Sequence, residues 1–311
     1  MVKVFIDGSA GTTGLRIYQR LAERKDIELM TLSNSLRKDP FARKESLNEA
    51  DIAFLCLPDA AAKEAVGFLD NPDTVIIDTS TAHRTASGWV YGFPELTGQR
   101  EKIASAKRIA NPGCHASGFI SLIAPLVENG LISKLEKLTC FSLTGYSGGG
   151  KKMIADYEAE ENLENLRPPH IYGLNQQHKH LPEMAKICGI DHFPVFSPIV
   201  SSFYSGMEVV VPLFLSQING NIDKIKSVYK EYYKEKIIYL CENSDENGFL
   251  SSGKMSGRDD MEIGVFGNDE RITLVSRFDN LGKGASGAAI QNMNIVLGID
   301  EKTELNIGGH I

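Results

Sequence analysis

The segment Asn111-Pro112-Gly113-Cys114-His115-Ala116-Ser117 sets a cysteine at the exit of a turn and the entrance of an apolar run. Pro112 and Gly113 supply turn geometry, and Phe119, Leu122, Ile123 and Leu126 recur behind them at helical spacing. Cys114 is therefore predicted at the first position of a helix. The partial positive charge there favours the thiolate over the thiol. A nucleophile is the chemistry this placement implies. The other four cysteines read as inert apolar filler: Cys56 lies in Ile52–Leu57, Cys140 in Leu138–Phe141, and Cys188 and Cys241 end hydrophobic segments.

A cysteine that makes and breaks an acyl bond needs a proton donor and acceptor with a pKa near neutrality, which histidine supplies. The segment Gln177-His178-Lys179-His180-Leu181-Pro182-Glu183 offers His178 and His180. In an extended segment their rings point to opposite sides, so one faces the nucleophile, and the rigid Leu181-Pro182 pair favours His180. As a metal pair the two have only Glu183 nearby as a further ligand, and no metal is expected. His115 and His83 are alternative acid/base groups or hydrogen-bonded core histidines. Arg84, in Asp78-Thr79-Ser80-Thr81-Ala82-His83-Arg84, presents a planar fork suited to a carboxylate or phosphate, or to a surface salt bridge.

Two glycine clusters follow predicted strands. Gly8-Ser9-Ala10-Gly11-Thr12-Thr13-Gly14 lies between the strand beginning at Val2 and a helical run from Leu15 to Leu21. Such a turn brings backbone N–H groups against a pyrophosphate at a helix N-terminus. Gly8, Ser9, Gly11, Thr12, Thr13 and Gly14 are the candidate contacts. The second strand ends in Ser33-Asn34-Ser35-Leu36-Arg37-Lys38, without the acidic residue that would bind a ribose 2′-hydroxyl. Ser33, Arg37 and Lys38 instead suit a 2′-phosphate, so NADPH/NADP+ is the expected cofactor. The second cluster, Gly145-Tyr146-Ser147-Gly148-Gly149-Gly150-Lys151-Lys152, nearly matches a phosphate-binding P-loop but has Lys152 where a hydroxyl is required. It reads as a loop that approaches a ligand closely, with Ser147, Gly148 and Gly149 as candidate anion contacts.

These residues need a scaffold. The first 113 residues alternate strands and helices: Val2–Asp7, a helix to Arg24, Ile27–Leu32, Ile52–Leu57, a helix Ala60–Leu69, and Thr74–Asp78. That rhythm predicts an α/β, doubly wound parallel sheet. After Cys114 the pattern becomes α+β. Leu138–Thr144 reads as a strand, Met153–Leu166 as an acidic amphipathic helix, and Val195–Val200 with Met207–Leu215 as long antiparallel strands. Ile222–Glu235 reads as a helix, Arg271–Arg277 as a strand, and Ala285–Leu297 as a small-residue helix packing back on the first domain. The expected domains are 1–113 with 285–311, and 114–284.

At 311 residues, 42% hydrophobic and 23% charged, the chain has the composition of an ordinary globular protein with room for two domains. Apolar runs reach about ten residues, too short to span a bilayer, and Met1-Val2-Lys3-Val4-Phe5-Ile6 enters a strand directly, so neither membrane association nor a leader is expected, and the cytoplasm is the expected compartment. Five cysteines without CxxC spacing argue against a disulfide framework or a zinc site. A formal charge of −7 argues against nucleic acid as a partner.

Taken together, the glycine turn, Asp78 to Arg84, Tyr91-Gly92-Phe93-Pro94-Glu95-Leu96, Asn111-Pro112-Gly113-Cys114, Tyr146 to Gly150, His178 to Glu183 and Asp279-Asn280-Leu281-Gly282-Lys283-Gly284-Ala285-Ser286-Gly287 resemble the N-acetyl-gamma-glutamyl-phosphate reductases, in their shorter variety, within the semialdehyde dehydrogenase group. The match runs essentially end to end. The resemblance implies a Rossmann-like first domain and an α+β catalytic and dimerisation domain, with Cys114 as nucleophile and His180 or His178 as acid/base. It also implies that Asn280 to Gly287 close around the nicotinamide, which makes Asn280 and Gly284 cofactor contacts. The implied partner is a small acyl phosphate, and the implied assembly a homo-oligomer, dimer or tetramer. Longer members carry an arginine-glycine pair in a central strand where Tyr204-Ser205-Gly206 stands here, leaving Arg84 as the candidate for the substrate carboxylate. The implied reaction is reduction of N-acetyl-L-glutamyl 5-phosphate to the 5-semialdehyde through a Cys114 thioester. The alternatives are a reductase of the aspartate-semialdehyde or aminoadipyl-phosphate type, a cysteine acyl-hydrolase, and a catalytically silent dinucleotide-binding regulator.

Overall fold

A computed structural model describes residues 1–234 and 236–308, with all their side chains except those of residues 162 and 163. The chain divides into two compact units, Met1–Gly113 with Ala285–Leu305, and Cys114–Gly284 with the segment from Asn306.

The first unit carries β1 (Val2–Asp7), α1 (Thr12–Leu21), β2 (Ile27–Met30), α2 (Pro40–Glu49), β3 (Ile52–Leu55), α3 (Asp59–Gly67), β4 (Val75–Asp78), β5 (Val90–Tyr91), α4 (Gln99–Ser105) and β6 (Arg108–Ala110). The six strands form one sheet in the order β2-β1-β3-β4-β6-β5, and every neighbouring pair is parallel. β3 and β4 are buried along their whole length because helices cover both faces. One face buries Val4, Ile6, Phe54 and Ile77 against Ile17 and Leu21 of α1 and against Ile290 and Met293 of the late helix Gly287–Val296. The other buries Phe5, Ala53, Leu55 and Ile76 against Leu47, Ala62 and Ala65 of α2 and α3. Chain order reverses between β1 and β3, the crevice where open parallel sheets bind ligands at their carboxyl ends.

The second unit opens with α5 (Cys114–Glu128), followed by β7 (Thr139–Gly145), α6 (Gly150–Glu158), α7 (Leu163–Leu166), β8 (His170–Ile171), α8 (Leu181–Cys188), β9 (Val195–Ser201), β10 (Met207–Phe214), α9 (Ile222–Tyr232), β11 (Ile238–Leu240), β12 (Met261–Gly267) and β13 (Arg271–Phe278). Its mixed sheet has the order β11-β12-β13-β10-β7-β9-β8. On one face Cys140, Ser142, Val209, Val211 and Leu213 are buried, and α5 packs against β10 and β13. Alternate residues on the opposite face include Phe141, Val195 and Phe214, all exposed.

Several expectations are revised. The expected helix Met153–Leu166 is three pieces: α6, a 3₁₀ turn Glu160–Asn162, and α7. Glu158, Glu160, Glu161 and Glu164 would stack like charges three and four residues apart in a continuous helix. The strands Val195–Ser201 and Met207–Phe214 are not neighbours. β7 lies between them, parallel to β9 and antiparallel to β10. The helix expected over Ile222–Glu235 ends at Tyr232, and Glu235 lies outside the described residues. The closing helix begins at Gly287, after a π-helical turn Gly282–Ser286. The tail expected with the first domain leaves it after Leu305. Asn306 donates its N–H to Asp259 Oδ2 at 2.8 Å and accepts from the Asp259 N–H at 2.8 Å, and residues 309–311 lie outside the described residues.

Candidate active site

The first unit's glycine turn is tight. Gly11 donates its N–H to Gly8 O at 2.9 Å, closing the turn at the carboxyl end of β1. Gly8 has φ +89°, and a Cβ there would fall 2.3 Å from Cys56 O, next to the end of β3. A Cβ on Gly14 would meet Gly8 O at 2.4 Å. Both positions therefore require glycine. α1 starts with no side-chain cap and no acidic residue in its first turn, so neither a capping side chain nor a first-turn carboxylate competes for its N-terminal N–H groups. Ser9, Gly11, Thr12 and Thr13 are half-buried along this turn. The cradle fits a pyrophosphate. Ser33, Arg37 and Lys38 form an exposed turn after β2, with Arg37 N–H donating to Ser33 O at 2.9 Å.

Arg84 and His83 belong to the first unit. Arg84 donates from Nε to Asn111 O at 2.9 Å and from Nη2 to Thr79 O at 3.1 Å. Its guanidinium thus braces the turn that leads to Cys114. His83 lies against Asp78, Nδ1 to Oδ2 at 2.6 Å, and stacks on Trp89 at 4.0 Å between ring centroids. That pairing anchors the His83 ring between Asp78 and Trp89.

In the second unit α5 opens at Cys114, which is half-buried and is the first residue of the helix. The next residue, His115, is buried and hydrogen-bonded through both ring nitrogens: Nδ1 is 2.7 Å from Ser142 Oγ and Nε2 is 2.7 Å from Tyr172 Oη. Around the His115 ring stand those of His178 at 5.4 Å, His180 at 5.5 Å and Phe196 at 5.3 Å. Burial, followed by the neighbouring His178 and Lys179, pushes the His115 pKa down to about 3, so its imidazole is neutral at physiological pH. This removes His115 as the titrating group.

His178 and His180 both join this cluster, contrary to the opposite-sided arrangement of an extended segment. Residues 179 and 180 form a turn into α8, and the two rings stand 4.7 Å apart and nearly perpendicular. His180 caps α8 and is buried. Its Nε2 lies 3.9 Å from Oε1 of the buried Glu183, one turn along. His178 is half-buried, and its Nδ1 accepts the His180 backbone N–H at 3.2 Å.

The Gly145 loop is held from two sides. Tyr146 and Ser147 donate their N–H groups to Phe203 O and Tyr204 O, both at 3.0 Å, so these amides are not open to an anion. Asn280, buried, donates from Nδ2 to Ser147 Oγ at 3.0 Å and accepts the Gly206 N–H through Oδ1 at 2.9 Å. Its carboxamide ties the two loops together. The Ser147 hydroxyl keeps its proton for donation, and Gly148 and Gly149 beside it are exposed. Asp279, fully buried, accepts from Leu281 N–H at 2.7 Å, Gly282 N–H at 2.8 Å and Ser205 Oγ–H at 2.8 Å, which fixes the π-helical turn containing Gly284. Tyr204 to Gly206 lie in the loop between β9 and β10, not in a central strand.

Ser142, Tyr172 and the orienting position of Glu183 are absent from the set named by sequence. Ser142 sits in an ordinary alternating strand and Tyr172 in a connecting segment. Only the pairing of β7 and the folding of residues 171–180 bring them to His115.

Residues 3–106 match the semialdehyde dehydrogenase NAD binding domain family, and residues 114–280 the semialdehyde dehydrogenase dimerisation domain family. The chain is 45% identical to N-acetyl-gamma-glutamyl-phosphate reductase 2 of a Nostoc species, over 97% of this chain and 99% of that protein. It is also 45% identical to N-acetyl-gamma-glutamyl-phosphate reductase of Brucella suis, over 95% of this chain and 99% of that one. Among solved structures, aspartate semialdehyde dehydrogenase of Francisella tularensis aligns with a TM-score of 0.74 at 17% identity, covering 96% of this chain and 100% of the other. Aspartate semialdehyde dehydrogenase II of Vibrio cholerae, complexed with ASA, aligns with a TM-score of 0.72 at 16% identity, covering 96% and 98%. At such identities these structures attest the fold alone. The sequence match is of another order, and by it this chain belongs to the N-acetyl-gamma-glutamyl-phosphate reductase family of the semialdehyde dehydrogenases.

Proposed function

We propose that this protein reduces N-acetyl-L-glutamyl 5-phosphate to N-acetyl-L-glutamate 5-semialdehyde and inorganic phosphate, with NADPH as the reductant, in arginine biosynthesis. The observation that carries the reading is the grouping of His178 and His180 around His115, the residue that follows Cys114 on α5, with Glu183 beside His180, in a chain 45% identical to named reductases. The Cys114 thiolate attacks the acyl carbon. The C–S bond forms as the bond to the phosphate oxygen breaks, and inorganic phosphate leaves a thioester. His180, oriented by Glu183, holds the proton exchanged at the reacting oxygens as phosphate departs and as the thiohemiacetal collapses. Backbone N–H groups at the start of α5 face the charge that develops on the carbonyl oxygen. The Ser147 hydroxyl, with Gly148 and Gly149, receives the phosphate, and Arg84 remains the cationic candidate for the substrate carboxylate.

Gly8, Ser9, Gly11, Thr12, Thr13 and Gly14 would hold the pyrophosphate of the dinucleotide, and Ser33, Arg37 and Lys38 its 2′-phosphate. When bound, the dinucleotide supplies the hydride. Asn280 and Gly284 would contact the nicotinamide end of the dinucleotide, and they also shape the loops they belong to. The first unit serves as the dinucleotide-binding domain and the second as the catalytic and association domain. The apolar sheet face bearing Phe141, Val195 and Phe214 supports self-association into a dimer or tetramer. No helix among the described residues is long and apolar enough to cross a membrane, in keeping with a small-molecule enzyme of the cytoplasm.

The test is the reverse reaction, followed as NADP+ reduction by N-acetyl-L-glutamate 5-semialdehyde with inorganic phosphate present. Turnover that requires phosphate supports the reading. Turnover of aspartate semialdehyde in its place, or none with either aldehyde, overturns it.

A further inference from the structure

The direction of one buried proton follows from the hydrogen bonds around Ser147. The backbone N–H of Ser147 is committed to Tyr204 O at 3.0 Å, so the hydroxyl is the one donor this residue has left. That hydroxyl is buried, and among the described residues its one partner is the Asn280 carboxamide nitrogen at 3.0 Å. Which end of the carboxamide faces Ser147 is settled by its other contact. Gly206 N–H lies 2.9 Å from Asn280 Oδ1, and a backbone N–H can only donate, so the oxygen faces Gly206 and the nitrogen faces Ser147. The flipped carboxamide would set two donors against each other in a buried place.

Ser147 Oγ is therefore an acceptor toward Asn280. Its own proton must leave in another direction, and among the described residues no acceptor takes it. Gly148, exposed beside it, has no side chain to do so; a Cβ there would lie 3.4 Å from Asn280 Nδ2 and 3.6 Å from Thr144 Oγ1. The same short turn reaches the cysteine. The main-chain oxygen of Asp279 accepts the Gly284 N–H at 3.0 Å, and a Cβ on Gly284 would fall 2.9 Å from the Cβ of Cys114. Residues 279–284 thus meet Ser147 through Asn280 at their start and Cys114 through Gly284 at their end.

We propose that Asn280 is a positioning residue for the anion end of the site: it fixes Ser147 as a hydroxyl whose proton is aimed away from the protein, toward a phosphate oxygen. This rests on the acyl-phosphate reading above, in which Ser147 receives the phosphate, and it adds to the expected contact of Asn280 with the nicotinamide. A free serine hydroxyl turns among three staggered positions, whereas a hydroxyl already held as an acceptor has its donor direction set before the ligand arrives. The same count explains the amide. An aspartate at position 280 would still accept from Gly206 but could not donate to Ser147, and the serine proton would turn inward to the carboxylate.

The test is a double-mutant cycle on the KM for inorganic phosphate in the reverse reaction, with NADP+ and N-acetyl-L-glutamate 5-semialdehyde saturating. Ser147→Ala is expected to raise that KM about 10- to 100-fold, the loss of one hydrogen bond to a charged group, with KM for the semialdehyde within about threefold of wild type. Asn280→Asp should raise it by a similar factor. Added charge could do the same by repulsion, so the decisive variant carries both changes. If Asn280 acts through Ser147, Asn280→Asp in the Ser147→Ala background adds less than about threefold; the full product of the two single effects, or a phosphate KM unchanged in either single variant, overturns the proposal. Asn280→Ala, which adds no charge, should show the same dependence on Ser147 and decides the matter if Asn280→Asp does not fold. Broadening of the ³¹P resonance of inorganic phosphate by the enzyme without aldehyde or dinucleotide supplies a readout that needs no turnover, and it should weaken in the same order. Failure of the functional reading stays distinct: the wild-type enzyme would then be silent toward the semialdehyde while phosphate binding still depended on Ser147 and Asn280.

Discussion

Gly284 stands directly against Cys114: a Cβ built on it would lie 2.9 Å from the Cβ of Cys114, 3.1 Å from Asp279 O and 3.3 Å from the Phe278 ring. The glycine is required by the cysteine's position and not by an unusual backbone angle, since its φ is not positive. The turn cannot retreat, because Asp279 holds it through Leu281 and Gly282. Gly284→Ala should therefore displace Cys114 and lower kcat by about 10- to 100-fold, since small misplacements of a reacting group are costly. Dinucleotide affinity should change little. A variant with wild-type kcat but much weaker dinucleotide binding would assign Gly284 to the cofactor instead.

Cys114→Ser should abolish turnover while leaving dinucleotide binding and the melting temperature near wild type, because an alcohol at this position has no accessible anion. Retention of more than about a hundredth of the activity, a loss of under about 2.7 kcal/mol in transition-state stabilisation, would rule out the covalent route.

NADPH should be preferred over NADH, as read from kcat/KM for the two. The turn after β2 exposes Ser33, Arg37 and Lys38 and has no acidic side chain between residues 31 and 38 to receive a ribose 2′-hydroxyl. Replacing Arg37 and Lys38 together by alanine should erode the preference at least tenfold, chiefly through KM for NADPH. An enzyme that prefers NADH from the start reverses the assignment.

The buried His115 predicts a pH dependence of stability. In the unfolded chain its imidazole takes up a proton below about 6.5, whereas in the folded chain that uptake is postponed to about 3. Its contribution to stability is therefore fully present above pH 6.5 and is lost as pH falls toward 3, at about 1.4 kcal/mol per pH unit within the window. Urea titrations between pH 7 and 4 should show a steeper loss for the wild type than for His115→Gln, by one proton. Parallel curves would mean that His115 protonates in the folded state.

The parallel sheet of the first unit could be read from sequence because each of its signals is local: apolar β-branched runs, a glycine turn after the first strand, and helices of opposite periodicity between them. The start of α5 at Cys114 is equally local, since Pro112, Gly113 and the apolar period behind them are contiguous. What sequence reading leaves out depends on distant partners. Asn280 is expected at the nicotinamide, and its carboxamide also bridges Ser147 and Gly206, which lie 133 and 74 residues away in the chain. Ser142 and Tyr172 carry no signal in the sequence, because a serine in an alternating strand meets His115 only once the chain has folded. The acidic segment after residue 150 differs for the opposite reason. Its amphipathic period is real, but repulsion between successive glutamates disfavours one continuous helix.

The histidine pair yields the last prediction. His178 accepts the His180 backbone N–H on Nδ1, so when neutral it carries its proton on Nε2 and its ring is fixed as part of the turn. His180 is placed differently: buried, at the start of α8, with Glu183 Oε1 3.9 Å from its Nε2. A buried carboxylate beside an imidazole stabilises the imidazolium that forms when the ring accepts a proton, the arrangement an acid/base group needs. His180→Asn should therefore remove the proton-transfer limb from the pH profile of kcat and lower kcat by about 10²- to 10⁴-fold, whereas His178→Asn should chiefly raise KM. Glu183→Gln should keep the limb but move it to lower pH, because the neutral amide no longer favours the protonated ring. The reverse pattern, with the limb lost in His178→Asn and kept in His180→Asn, would exchange the two roles, and a limb that survives in both variants would place the acid/base group outside this segment altogether.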